Sequence, residues 1–231
     1  MAAAYIAMGT LMQTAGLPIR LQFGEVGWWF DAGGSPASMA YYDADTVAAA
    51  VTALGRPLHV FASPNDDPSV NGYADANFLR SRLQAYVAVV QAAVLASLPS
   101  AVFELLWPLD VNDPSTARLN RYVNLPVEWQ SRPGSGFDTF LCEGLSYGGI
   151  DFNVDKAMMA AGYPFQALSW PVEYCRYLLS WLYASPWQRE YWAALRTGVP
   201  RMKAWAWDHL NLYGWDLPLQ GQPASVWVVA A

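Results

Sequence analysis

The chain has 231 residues, 54% of them apolar and only 14% charged, which suits buried parallel strands and excludes a disordered tail. Lys and Arg number 13 against 19 Asp and Glu, a formal charge of −6, and no basic cluster is present to neutralise a phosphate backbone, so nucleic acid is not an expected partner. No stretch reaches the roughly 20 apolar residues that span a bilayer, so no membrane is expected either, and Cys142 and Cys175 fit neither a disulfide framework nor a zinc pattern and read as two buried thiols.

Ala2 to Leu17 is apolar but lacks the basic start of a signal peptide; it predicts a helix that ends at Gly16, with Pro18 as a stop. Ile19 to Val26 alternates Leu21, Phe23 and Glu25 with Gln22 and Gly24, the period of a strand. A Gly/Pro loop follows from Asp31 to Pro36, and Asp45-Thr46 caps an expected helix from Val47 to Leu54 that stops at Gly55. Pro57 to Ala62 predicts a second strand and Ser63 to Gly72 a loop. The longest helix is expected from Asp75 to Leu98, with Leu79, Leu83, Tyr86, Val87, Val90 and Val94 on the apolar face that packs on a sheet. Ala101 to Trp107 reads as the third strand, closed by Pro108. A long loop with no convincing helix leads to the fourth, Phe137 to Glu143. A second long loop, helical stretches at Tyr174 to Tyr183 and Pro186 to Thr197, and a final strand from Lys203 to Trp207 complete the pattern.

Short apolar strands separated by helices imply an α/β fold with a parallel sheet, either open and doubly wound or closed as a (β/α)8 TIM barrel. No Gly-rich phosphate loop follows any strand, which favours the barrel and gives no cofactor to expect. A barrel needs eight strands and five are legible. The expectation is therefore one incomplete barrel domain over residues 1–231, holding strands four to eight, with the N-terminal strands missing upstream and Met1 an internal methionine of a longer protein.

In such a barrel the working residues sit at the C-terminal ends of the strands. Glu25 ends the first and is followed by Trp28 and Trp29; Trp107 closes the third, with Asp110 and Asn112 after it. Glu143 ends the fourth, with Tyr147 beyond it, and Trp207 and Asp208 close the last. The 12 Trp exceed what core filling needs, and rigid aromatic faces stack well on sugars, so these residues read as an aromatic, acidic cleft. Numbered as strands four to eight, the pattern resembles the large clan of retaining glycoside hydrolases with (β/α)8 barrels. That resemblance implies a glycan or polysaccharide partner, Glu25 as acid/base, Glu143 as nucleophile and Trp207 beneath the sugar. Retention requires carboxyls about 5 to 5.5 Å apart, and Trp28 and Trp29 would supply the apolar surroundings that keep Glu25 protonated. Where the clan has Asn before its acid/base, this chain has Gly24, which offers no side chain for a contact to the sugar's 2-hydroxyl.

Two segments carry a second resemblance. Leu21-Gln-Phe-Gly-Glu-Val-Gly-Trp-Trp-Phe30 and Phe103-Glu-Leu-Leu-Trp-Pro-Leu-Asp-Val-Asn112 are similar to the barrel domain of phage non-contractile tail sheath proteins. This implies a virion or prophage-derived particle component that packs against other tail protein copies, with a hydrolase-like barrel reused as a wall or a receptor-facing surface.

Other polar residues have plainer readings. Glu104, in mid-strand, is expected to make a buried structural pair, and His59 to be a satisfied core histidine. His209 lies beside Asp208 with no nucleophile to complete a triad. Neither Asn65-Asp66-Asp67 nor the stretch from Asp110 to Asp113 matches a calcium-loop spacing, so no metal is expected. Three functions stay open: a retaining glycoside hydrolase, a non-catalytic structural tail component, and a glycan-binding module without turnover.

Overall fold

Helix α1 spans Ala2–Thr14, and the residues after it explain its end. Gly16 takes a left-handed φ of +71°, which lets its N–H donate to the Gln13 carbonyl at 3.0 Å and the Leu17 N–H donate to Met12 at 2.9 Å. Two carbonyls that the helix leaves open are thereby satisfied, and Pro18 then prevents continuation. The structure is a computed structural model that describes residues 1–23, 30–31, 38–39, 42–108, 112, 116–130, 136–143, 167–171, 201–205 and 226–228. They fall into two compact units, Met1–Leu105 with Val111–Asp138, and Leu106–Asp110 with Thr139–Ala231.

In the first unit, β1 (Arg20–Phe23) pairs in parallel with the Val102 to Leu105 part of β4 (Val102–Pro108), Leu21 beside Phe103, Gln22 beside Glu104 and Phe23 beside Leu105. Leu21, Phe23, Phe103 and Leu105 are buried. They share one face of the pair. Tyr5 of α1 stacks on Phe23 at 5.0 Å, and its hydroxyl donates to the Gln22 carbonyl at 2.6 Å. Burial, with Tyr86 adding to it, pushes the Tyr5 phenol up to about 12. Gly9 has no side chain because a Cβ there would stand 2.5 Å from Leu98 Cδ1; α1 comes that close to the chain behind it. Between β1 and α2, where a loop is predicted, β2 (Phe30–Asp31) and β3 (Ser38–Met39) form a short antiparallel ladder.

Helix α2 (Ala44–Leu54) begins earlier than the sequence predicts. Its cap is Asp43, whose carboxylate accepts the Thr46 N–H at 2.9 Å, rather than Asp45 or Thr46. Gly55, at φ +69°, ends it as expected. Helix α3 (Tyr73–Ser97) buries Leu79, Leu83, Val87, Val90 and Val94. Tyr86, predicted on the same face, is 46% exposed instead. At about 100° per residue it falls at the edge of that stripe, and its hydroxyl reaches the Met1 sulfur at 2.8 Å.

Pro57 to Ala62, predicted as the second strand, is not one, and β1 pairs directly with β4. The segment's ladder groups are taken by side chains. The Tyr42 hydroxyl donates to the His59 carbonyl at 2.8 Å and accepts the Phe61 N–H at 2.6 Å. The Asp75 carboxylate accepts the His59 N–H at 2.8 Å. Leu58 and Phe61 then pack with Ala50, Ala76, Leu79, Leu119 and Val123, the core beneath α2 and α3. The stretch after β4, read as having no helix, contains α4 (Arg118–Asn124) and a 3-10 turn (Val127–Gln130). Trp129 of that turn meets Phe137 edge-on at 5.1 Å, and Phe137 meets Phe23 likewise at 5.7 Å.

The second unit contains β5 (Thr139–Glu143), β6 (Ala167–Pro171), β7 (Arg201–Trp205) and β8 (Val226–Val228), each parallel to the next. β6 and β8 were not predicted, and the strand expected from Lys203 to Trp207 runs two residues earlier and is not the final one. Cys142 lies in β5. Cys175 and the predicted helices at 174–183 and 186–197 lie outside the described residues.

Candidate functional site

Of the residues assigned to the cleft, Glu143 is the last residue of β5 and Trp107 lies in β4. Asn112 is described and is 1% exposed. Glu25, Trp28, Trp29, Asp110, Tyr147, Trp207 and Asp208 lie outside the described residues, as does His209. The loss of Pro57 to Ala62 as a strand also changes the count. The count that put Glu143 at the end of strand seven includes this segment, which is not a strand among the described residues.

Among the described residues, three arginine–carboxylate pairs join distant parts of the chain. On the β1–β4 pair, Glu104 is the register partner of Gln22, and its carboxylate meets the Arg20 guanidinium at 3.3 Å. The Glu104 side chain is 1% exposed and that of Arg20 34%, so the predicted buried structural pair is present, with the cation left partly in water. Arg20, Gln22 and Glu104 share the face opposite Leu21 and Phe103.

The second pair lies at the start of α3. Asp75, in the first turn, accepts both guanidinium N–H groups of Arg56, at 2.8 and 2.7 Å, besides the His59 N–H. The Arg56 guanidinium holds the Asp75 carboxyl below the usual carboxylate range, burial opposes this, and the His59 N–H adds to the lowering. A carboxylate here is also favoured by the helix N-terminus. The Tyr42 phenol, held by the His59 carbonyl and the Phe61 N–H, is raised by burial. His59 sets its ring edge-on to Phe61 at 4.8 Å, as a packed histidine does.

The third pair explains the acidic loop once weighed for calcium. Asp66 accepts the Ala62 and Ser63 N–H groups at 2.7 and 3.3 Å. Asp67 accepts from the Ser69 N–H at 2.9 Å and pairs with Arg118 at 3.0 Å; its carboxyl is lowered by Ser69 first and by Arg118 to a lesser degree. The Asn65 side-chain oxygen accepts from the Arg118 N–H and Nε, at 3.3 and 3.2 Å. These oxygens close turns and start a helix. Among the described residues no group of three His, Cys, Asp or Glu is placed to hold a metal, and no helix is long and apolar enough to cross a membrane.

Sequence reasoning missed Arg20, Arg56, Asp75, Tyr42 and Arg118. Only Asp75 carried a signal, an acid in the first turn of a predicted helix; the others act on partners 17 to 84 positions away, where no local pattern marks them.

Neither a comparison with curated proteins nor one with solved structures gives a match. The family model for the non-contractile tail sheath protein TIM barrel matches residues 1–220. The chain belongs to the non-contractile tail sheath protein TIM-barrel family.

Proposed function

We propose that this chain is a structural barrel domain in the wall of a phage's non-contractile tail, packed against neighbouring copies of the tail protein and not turning over a substrate. The family match across residues 1–220 carries this reading. The carboxylates of Glu104, Asp75 and Asp67 support it, since each is committed to an arginine and serves to hold elements together. Fold alone does not imply catalysis. The test is to purify intact particles from a lysate, search them for the chain by mass spectrometry, and label them with gold-conjugated antibody. Label along the tail is expected. Particles with complete tails that lack the chain would overturn the proposal.

A carbohydrate-directed domain is the second reading, favoured by one observation: Glu143 is the last residue of a parallel strand, the position at which barrel enzymes carry their chemistry. In this reading Glu143 is the nucleophile and Glu25 the acid/base. Glycan cleavage by the whole protein that disappears in a folded Glu143→Gln variant is the expected result. Cleavage that survives the substitution removes Glu143 from the chemistry.

A further inference from the structure

Two backbone hydrogen bonds bracket the peptide between Asn71 and Gly72. The Asn71 N–H donates to the Asp67 carbonyl at 3.2 Å, and the Gly72 carbonyl accepts the Ala76 N–H at 2.9 Å. They anchor the chain on either side of the Asn71–Gly72 peptide and use neither its C=O nor its N–H. Asn71 is exposed. Gly72 follows it as the N-cap of α3, at φ +73° and ψ 28°, and a Cβ there would stand 2.8 Å from His59 Cδ2 and 2.9 Å from Phe61 Cε1. Left-handed backbone and close rings together demand glycine after this asparagine. No other Asn in the sequence precedes Gly.

We propose that Asn71 is a site of self-modification, at which the Gly72 nitrogen displaces the Asn71 side-chain amide and water then remakes the link that leads into α3. In the first step the Gly72 nitrogen bonds to Asn71 Cγ and the Cγ–Nδ2 bond breaks. The side-chain NH2 leaves as ammonia with the proton that Gly72 gives up, and a five-membered succinimide remains. A Cβ on the following residue would crowd the attacking nitrogen, and glycine has none. In the second step water adds across one C–N bond of the ring, its hydroxyl going to carbon and its proton to nitrogen. Opening at Cγ gives aspartate. Opening at the main-chain carbonyl carbon gives isoaspartate, whose main chain runs through the side chain and is one carbon longer. Both products bring a carboxylate to the N-terminal end of α3, where the helix dipole favours negative charge. Isoaspartate alone lengthens the chain, and it does so where Gly72 lies close against the His59 and Phe61 rings. The contact it loosens is the Ala76 N–H bond to Gly72, the first of the helix.

The folded full chain, held in mildly alkaline buffer made with heavy-oxygen water and then mapped by peptide mass spectrometry, tests the proposal. Asn71 is expected to convert ahead of every other asparagine and to retain one solvent oxygen, and a methyltransferase specific for isoaspartate tells the two products apart. Asn71→Gln, whose extra methylene calls for a six-membered ring, should stay unmodified at this position. Hydrogen exchange at Ala76 should quicken in the isoaspartyl form and stay near that of the unmodified chain in Asn71→Asp, which carries the charge without the longer main chain. Circular dichroism establishes that both variants are folded. If the folded chain keeps Asn71 intact, whether or not the urea-unfolded chain converts, the proposal fails. Conversion of Asn71→Gln as fast as of the unmodified chain, or Ala76 exchange that is the same in the isoaspartyl and unmodified forms, also overturns it.

Discussion

Arg56 meets Asp75 through two hydrogen bonds, at 2.8 and 2.7 Å, from a side chain that is 48% exposed to a carboxylate that is 0% exposed. The pair ties the end of α2 to the start of α3, and the same carboxylate holds the His59 N–H. Asp75→Asn should therefore cost about 1–3 kcal/mol of stability in urea unfolding, the range for losing hydrogen bonds to a buried charged group. The sign of the pH effect follows from the lowered carboxyl. A group whose pKa falls on folding contributes fully above its unfolded value of about 3.9, and that contribution is lost as pH drops through the lower folded value. The wild type should lose stability in acid more steeply than Asp75→Asn. Parallel acid profiles would refute the assignment.

The Tyr42 hydroxyl bridges the His59 carbonyl and the Phe61 N–H. Tyr42→Phe keeps the ring and removes the bridge, at an expected cost of about 1–2 kcal/mol. Amide exchange at Phe61 should accelerate while that at Val90 and Val94, deep in α3, changes only by the global loss. Unchanged exchange at Phe61 would count against the bridge.

The pair between Arg20 and Glu104 is asymmetric, with the acid buried and the cation partly solvated. Replacing Arg20 with Met leaves a buried carboxylate short of its guanidinium, for which about 3 kcal/mol is expected, the low end for breaking a buried pair. Glu104→Gln leaves an arginine that water can reach, and should cost less. Equal losses in thermal or urea unfolding would show that the carboxylate does not depend on Arg20.

Two glycines separate backbone strain from crowding. Gly16 and Gly72 have nearly the same left-handed φ, +71° and +73°, but a Cβ on Gly16 meets nothing within 4 Å, whereas one on Gly72 would stand 2.8 Å from His59 Cδ2 and 2.9 Å from Phe61 Cε1. Gly16→Ala should cost about 1–2 kcal/mol, the strain alone, and Gly72→Ala should cost clearly more because the His59 and Phe61 rings must move. Similar values for the two would mean that the rings have room to shift.

The parts of the fold that were legible in the sequence are those fixed by neighbours in sequence. Gly16 with Pro18, and Gly55, mark helix ends by their own backbone geometry, and the alternation of Leu21 and Phe23 marks β1. Pro57 to Ala62 has the composition of a strand, but composition does not say what its hydrogen-bonding groups will meet. Here Tyr42 and Asp75 reach them before another strand does. Helix α4 was invisible because Ala117, in its cap position, provides no side-chain acceptor. At the candidate site, Glu143 at a strand end and Glu104 in a buried pair were both readable from position in a strand. Arg20 was not, because its relation to Glu104 depends on register between strands.

The first turn of α4 takes its acceptors from far upstream. The Pro64 carbonyl accepts the Leu119 and Asn120 N–H groups at 2.9 and 3.2 Å, and Asn65 accepts that of Arg118, 53 positions later. Seven residues are too few to hold a helix unaided in water, where roughly 12 to 15 are needed. A synthetic peptide covering this stretch should be a coil. During synthesis the acceptors leave the ribosome first, so the helix can form as soon as its own residues emerge. Circular permutation with new ends between Asn65 and Arg118 would reverse that order and make α4 wait for the rest of the chain.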